Sequence, residues 1–242
     1  METVLPEAVR RTLPLLTSQP DSPPVRDGYL DLLGGDAPAP SGFFQSLWES
    51  RLGTVVYEPV QSGVRKVFAG LRPSARRLRL PEGGTALDVG CGPGNVTADL
   101  GRDVGPGGLA VGVDVSRSML RRAASAYAGP NVGFVRSDAS ALPLRTDSVD
   151  AITCLMVLQL LPDPEGAIAE FARVLVPGGR AAILLPGYAG PGAGVVATVA
   201  GVAGVRLPGH EAIAATFERY GMEVLDAGTT APVARLLAEK PR

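Results

Sequence analysis

Residues 87–95 read LDVGCGPGN, with glycines at Gly90, Gly92 and Gly94 directly after an apolar, strand-like run and directly before a helical one. Such a turn lets the backbone pass close beneath a ligand and aims free amide groups at it. Asp114 stands 24 residues after Gly90, at the end of the next apolar run, where a carboxylate accepts both hydroxyl hydrogens of a ribose. Asp138-Ala139 follows a third such run, where a carboxylate or carbonyl meets the exocyclic amine of an adenine. A plain turn cap is the bland reading of Asp138, and its register with the other two positions favours the ligand. Glycine turn plus acid serves a nicotinamide dinucleotide equally well. The pyrophosphate of that cofactor favours G-x-G-x-x-G, however, and here Asn95 stands where the last glycine of the pattern would fall.

These turns need a parallel sheet to hold them at one edge. From residue 85 short apolar runs alternate with helical patterns, the mark of βαβ units. Strands are expected near Thr85 to Val89, Leu109 to Val113, Val132 to Val135, Asp150 to Leu155 and Arg180 to Leu185, with Glu223 to Leu225 and Val233 to Ala238 as a closing hairpin. After Asp163 the stripe Ile168, Phe171, Ala172 and Leu175 predicts a helix ended by Pro177-Gly178-Gly179, a turn that feeds the fifth strand. Ile213, Phe217 and Tyr220 predict another. Residues 1–82 lack clear strand runs and are broken by many prolines, so they read as a helical N-terminal cap, with the core over 83–242. Phe44, Leu47 and Trp48 share one helical face, and Val60, Val64, Val67, Phe68 and Leu71 resume it after Pro59.

With 242 residues, 45% of them hydrophobic, the chain suits one α/β core plus an appendage. A formal net charge of -1 offers no long-range attraction to phosphates, so no nucleic-acid partner is expected. The basic cluster Arg72, Arg76, Arg77 and Arg79 reads as a solvated helix end. Cys91 and Cys154 sit in apolar runs and read as reduced core thiols, which fits the cytoplasm. No leader pattern opens the chain and the stretch 192–205 is too short to span a bilayer, so no membrane is expected either.

Taken in order, LDVGCGPG (87–94), GVDVS (112–116), SDASALPLRTDSVDAI (137–152) and RVLVPGGRAAILLP (173–186) resemble the class I S-adenosylmethionine-dependent methyltransferases, most closely the small type 11, ubiquinone-biosynthesis-like branch. The resemblance implies a Rossmann-like seven-stranded sheet whose last strand is antiparallel. It implies S-adenosylmethionine as cofactor and S-adenosylhomocysteine as product, with Gly90 and Gly92 under the methionine moiety, Asp114 on ribose, Met119 on adenine, Asp138-Ala139 at the adenine edge and Cys154 on the methionine side. Cys91, Asn95 and Val115 complete the expected cofactor set. In the same branch the segment ESRLGTVVYEP, residues 49–59, resembles a cap element near the cofactor, which points to Arg51 and Tyr57.

Methyl transfer is an in-line displacement at a carbon already activated by a sulfonium, so the protein aligns the partners and excludes water. Three side chains are candidates for acting on the acceptor. Tyr57 lies late in the cap, Gln159 just beyond the fourth core strand, and His210, the single histidine, at the start of the late helix. Ring packing, a solvent-facing amide and a helix cap are their respective structural roles if they have no chemical one. The segment CLMVLQL after the fourth strand lacks the Asn/Asp-Pro-Pro-Tyr/Phe pattern of enzymes that methylate nucleic-acid amines. It also lacks metal-binding acids, and no His/Cys cluster replaces them, so no metal is expected. The expected function is metal-free methyl transfer to a small-molecule acceptor, a secondary metabolite, by a monomer or homodimer. Two alternatives keep the cofactor but not the transfer: a cyclisation or isomerisation, and a cofactor-sensing binding protein.

Overall fold

Strand-forming runs and helical stripes after residue 84 assemble into one sheet in the computed structural model, which describes residues 5–35, 74–187, 209–230 and 233–242. The described helices are α1 (Glu7–Thr12), α2 (Ala75–Leu78), α3 (Asn95–Val104), α4 (Arg117–Tyr127), α5 (Pro164–Val174) and α6 (His210–Arg219). The strands are β1 (Val25–Arg26), β2 (Tyr29–Asp31), β3 (Thr85–Val89), β4 (Leu109–Asp114), β5 (Val132–Arg136), β6 (Val149–Leu155), β7 (Leu175–Pro186), β8 (Glu223–Thr230) and β9 (Val233–Glu239). Their order across the sheet is β1-β2-β5-β4-β3-β6-β7-β9-β8. Strands β3 to β9 are the seven expected, and the last, β9, runs antiparallel to both β7 and β8.

Two strands were not legible. β1 and β2 form an antiparallel pair at the far edge, and β2 lies parallel to β5 with Leu30 opposite Val135 and Asp31 opposite Arg136. The strands therefore do not all follow residue 84, and residues 25–31 belong to the sheet rather than to a cap beside it. A three-residue strand buried at every position, as Tyr29, Leu30 and Asp31 are, is too short to show any alternation. The cap helices expected around Phe44 to Leu71 and the stretch 192–205 lie outside the described residues.

The core follows from the period of two. Leu87, Val89, Val111, Val113 and Val135 pack with Ala8 and Val9 of α1, Phe171 of α5 and Phe217 of α6. On the opposite face Ala86, Ala110 and Ala151 are small, and Leu100 and Val104 of α3 settle against them. Gly112 continues that row: a Cβ there would stand 2.8 Å from Phe134 and from Thr97 Oγ1, and 2.9 Å from Cys91 Sγ. The small row thus sets how close α3 and the glycine turn approach the sheet.

The Pro177-Gly178-Gly179 turn differs from expectation. Helix α5 already ends at Val174, and the three residues form an irregularity inside β7, where the register jumps from Leu175 opposite Val149 to Arg180 opposite Ala151. The bulge is held from the other side, since the Gly178 amide donates to the Lys240 carbonyl at 2.7 Å and Lys240 returns a bond to Gly179 at 2.9 Å. Part of the basic cluster also has a structural use: Arg77 pairs with Asp226, and Arg79 with Glu239 at 3.0 Å, clasping α2 to the closing hairpin. Among the described residues no helix is long and apolar enough to cross a membrane.

The row of small residues yields a test. Gly112→Ala places its Cβ inside contact distance of three side chains, and overpacking of this kind costs roughly 1–3 kcal/mol. Urea unfolding should show that loss, and an unchanged midpoint would mean the approach of α3 is not set here.

Candidate functional site

Open α/β sheets bind ligands in a crevice outside the carboxyl ends of their strands, at the point where the strand order reverses, which here is β3, with β4 on one side and β6 on the other. After β3 the chain turns through Gly90, Gly92 and Gly94 with φ of 69°, 50° and 85°, all in the left-handed region that disfavours side chains. The three have different surroundings. A Cβ on Gly90 would collide with Val157 at 2.3 Å and one on Gly94 with Ala123 and Phe134 at 2.9 Å, whereas one on Gly92 meets nothing within 4 Å. Gly92 is therefore the open position, over which a ligand can rest directly on backbone.

Asp114 closes the other wall. Its Oδ2 accepts the Gly92 amide at 2.9 Å and its Oδ1 the Ser116 amide at 2.8 Å. Each oxygen keeps a further lone pair for a ribose hydroxyl. Burial raises the carboxyl above its ordinary range, against the pull of the backbone amides of Ser116, Gly92 and Val115. Val115 follows with its carbonyl already bound, accepting from Arg136 Nε at 2.8 Å. Met119 is buried at the start of α4, where the Ser116 hydroxyl caps its amide. At the end of β5, Asp138 accepts both the amide and the hydroxyl of Ser140 on the single oxygen Oδ1, at 2.9 and 2.8 Å. Its Oδ2 is the atom turned to no described residue by a hydrogen bond, and Ala139 beside it is buried.

Other expected residues sit differently. Asn95 opens α3, but its Oδ1 accepts the Tyr127 hydroxyl at 2.6 Å, so its side chain braces α3 against α4. Cys91 is buried beneath the turn, and burial pushes its thiol well up, so it is a packing group there. Cys154 is fully enclosed among core side chains, and its thiol is likewise raised by burial. Gln159 lies in the 3₁₀ turn Leu158–Leu160 after β6, buried, with Oε1 lacking a hydrogen-bond partner among the described residues. His210 begins α6 and shares a hydrogen bond of 3.1 Å with Thr229 at the end of β8, the outermost strand, four strands away from β3. The glycine turn, Asp114, Val115, Met119, Asp138 and Ala139 thus gather on the turns after β3, β4 and β5; His210 does not join them. Arg51 and Tyr57 lie outside the described residues.

Three features are not singled out by the sequence reading. Asp88, on β3 beneath the turn, is buried and accepts Thr97 Oγ1 at 2.7 Å and Thr153 Oγ1 at 2.9 Å, joining β3, α3 and β6. Burial drives its carboxyl up to about 6. Met156 holds φ of 62° directly after β6, a strained conformation for a side-chain-bearing residue. Val157 next to it fills the space over Gly90. An acid in a mostly apolar strand was the one available hint for Asp88, and nothing local marks the other two.

Known proteins resemble this chain over the same part of the sheet. The family described as a methyltransferase domain matches residues 87–183. A 2-phytyl-1,4-naphtoquinone methyltransferase of Thermosynechococcus vestitus is 41% identical over 110 residues, 44% of this chain and 48% of the relative. The nocamycin O-methyltransferase of Saccharothrix syringae is 38% identical over 122 residues, 48% and 44% of the two chains. The chain spans about half the length of these curated relatives. Among solved structures, the [4+2]-cyclase SpnF superposes with a TM-score of 0.60 at 23% identity over 69% of this chain and 79% of its own.

Asp88 generates a pH prediction. Its carboxyl ordinarily titrates near 3.8 and is raised to about 6 in the fold, so the stability carried by its neutral form is complete below 3.8 and is lost as pH rises through 6. Between pH 5 and 8 this amounts to roughly 1–2 kcal/mol. Asp88→Asn cannot ionise, so urea titrations at the two pH values should show the wild type losing about that much stability relative to the variant. A constant difference would place Asp88's ionisation elsewhere.

Proposed function

On the premise that the chain carries a methyltransferase domain of the type 11 family within a class I Rossmann-like sheet, we propose that the protein transfers the methyl group of S-adenosylmethionine to a small-molecule acceptor. The observation that carries this reading is the pair of facing turns, with Gly92 bare above its backbone and Asp114 joined to it at 2.9 Å with lone pairs to spare. Nucleoside hydroxyls fit the Asp114 side and an adenine amine fits Asp138 Oδ2, while the methionine half lies along the glycine turn.

On this reading the acceptor approaches past the loop after β6. Gln159 supplies an unpaired buried carbonyl oxygen there, suited to accept a hydrogen bond from an acceptor hydroxyl or amine. Arg51 and Tyr57, on sequence grounds, would complete the enclosure from the segment 41–70, with Tyr57 orienting cofactor or acceptor. Relatives act on a naphthoquinone and on nocamycin, so quinones and secondary metabolites are the acceptor classes to try first. Transfer needs alignment and a dry site more than a strong base, which suits a crevice whose described side chains include no acid-base pair apart from buried carboxylates.

The same fold carries a cyclase, so the decisive measurement is product identity: incubation with methyl-labelled cofactor and a metabolite pool, read by mass spectrometry. Labelled product with stoichiometric S-adenosylhomocysteine is expected. A rearranged acceptor with the cofactor unchanged would replace transfer by cyclisation. Asp114→Ala should raise the dissociation constant for S-adenosylmethionine about tenfold to a hundredfold, since it leaves ribose hydroxyls and the Gly92 amide unpaired at about 1–3 kcal/mol; unchanged affinity by calorimetry removes Asp114 from the site. Tyr57→Phe should lower kcat/KM about tenfold or more, and full activity in both it and Arg51→Ala would release those side chains from the site.

A further inference from the structure

We propose that Arg136 is a positioning residue for the nucleoside half of the cofactor: held by the buried carboxylate of Asp31, it fixes the Val115 carbonyl and with it the turn that presents Asp114. The inference rests on the cofactor reading above and goes beyond it by bringing the N-terminal strand β2 into the construction of the site.

Arg136 ends β5, directly opposite Asp114 of β4 on one side and Asp31 of β2 on the other. Its side chain is 3% exposed and that of Asp31 is 0% exposed, so water screens neither. The guanidinium is a rigid planar fork with several donors, and here the donors point to different parts of the chain. Nε donates to the Val115 carbonyl at 2.8 Å, while NH1 donates to Asp31 Oδ1 at 3.0 Å and to the Gly34 carbonyl at 2.8 Å. Asp31 Oδ1 also accepts the Gly34 amide at 3.0 Å. The other oxygen, Oδ2, has no hydrogen bond but faces Arg117 at 3.6 Å and Arg26 at 3.7 Å. Arg117 in turn donates to the Gly34 carbonyl.

A buried ion pair is a weak stabiliser in itself, because desolvation of both charges offsets their attraction. What the guanidinium supplies that an apolar pair cannot is a directed hold on a backbone carbonyl. The Asp114-Val115-Ser116 turn has its carboxylate tied to the Ser116 and Gly92 amides, and its Val115 carbonyl is tied from behind by Arg136. With both ties made, the Val115 peptide has one orientation, and the ribose-facing lone pairs of Asp114 have one direction. Asp31 sets the direction of the fork. β2 therefore acts on the nucleoside pocket through Arg136.

The test is isothermal titration of wild type, Arg136→Lys, Asp31→Asn and the double variant with S-adenosylhomocysteine and with 5′-methylthioadenosine, which lacks the amino-acid half. A compact ammonium cannot span Val115 and Asp31 together. Arg136→Lys is therefore expected to raise the dissociation constants of both ligands about tenfold and by the same factor. Asp31→Asn, nearly isosteric and the variant to rely on if the lysine form does not fold, should give a loss of at least about threefold. The double variant should be no worse than the weaker single, and in turnover KM for the cofactor should rise while kcat at saturation changes less than twofold. Lower melting temperatures with unchanged affinities in the folded state, or a loss confined to the ligand that carries the amino-acid half, would overturn the inference. Wild-type protein that binds neither ligand would overturn the cofactor reading and this inference with it, whereas wild type that binds beside unaffected variants overturns the inference alone.

Discussion

The hydrogen bond of 2.9 Å from the Gly92 amide to Asp114 Oδ2 joins the two turns that face the crevice, and most of the surrounding structure serves to make it. It requires β3 and β4 to end together, which the parallel register from Thr85 opposite Leu109 to Val89 opposite Val113 ensures. It requires α3 to start close to the sheet, which the row Ala86, Ala110 and Gly112 permits. It also requires the glycine turn to rest on something firm. Asp88 supplies that support from below through Thr97 and Thr153, and Val157 supplies it from the side of β6.

Electrostatics in this corner follow from burial. Burial is the first cause that raises the carboxyls of Asp88 and Asp114, and the charge of Asp114 adds to the rise at Asp88. Two buried thiols nearby are held protonated by the same surroundings. The described part of the site thus holds no thiolate nucleophile.

The far edge of the sheet depends on another kind of contact. Asp31, Arg136, Arg117 and Arg26 form a partly buried charge network at the junction of β1, β2, β5 and α4. At the opposite edge Arg77 pairs with Asp226 and Arg79 with Glu239, each arginine about half exposed and its carboxylate partner more covered, so screening by water reduces what each pair contributes. The contrast shows why charge clusters read from sequence carry so little meaning by themselves: the partners and the burial of each arginine decide whether it holds a backbone carbonyl, as Arg136 does, or a carboxylate across two elements, as Arg77 and Arg79 do.

The strands β3 to β6, the closing hairpin and the helix after Asp163 were legible in the sequence because their information is local. Period-two alternation, a helical stripe and glycines that must take positive φ each sit within about ten residues, and the order of the motifs placed Gly92, Asp114 and Asp138 on adjacent turns. The bulge at Pro177 to Gly179 was misread as a helix end, since its partner, Lys240, lies 61 residues later. Asn95 looked like a ligand-facing residue because its neighbours are, and only the packing of α4 on α3 brought the Tyr127 hydroxyl to it. The place of β2 in the sheet and the grip of Asp31 on Arg136 link residues 105 apart in the chain. Nothing in either neighbourhood foretells the other, because a buried ion pair is specified by the three-dimensional meeting of its elements and not by any pattern along them.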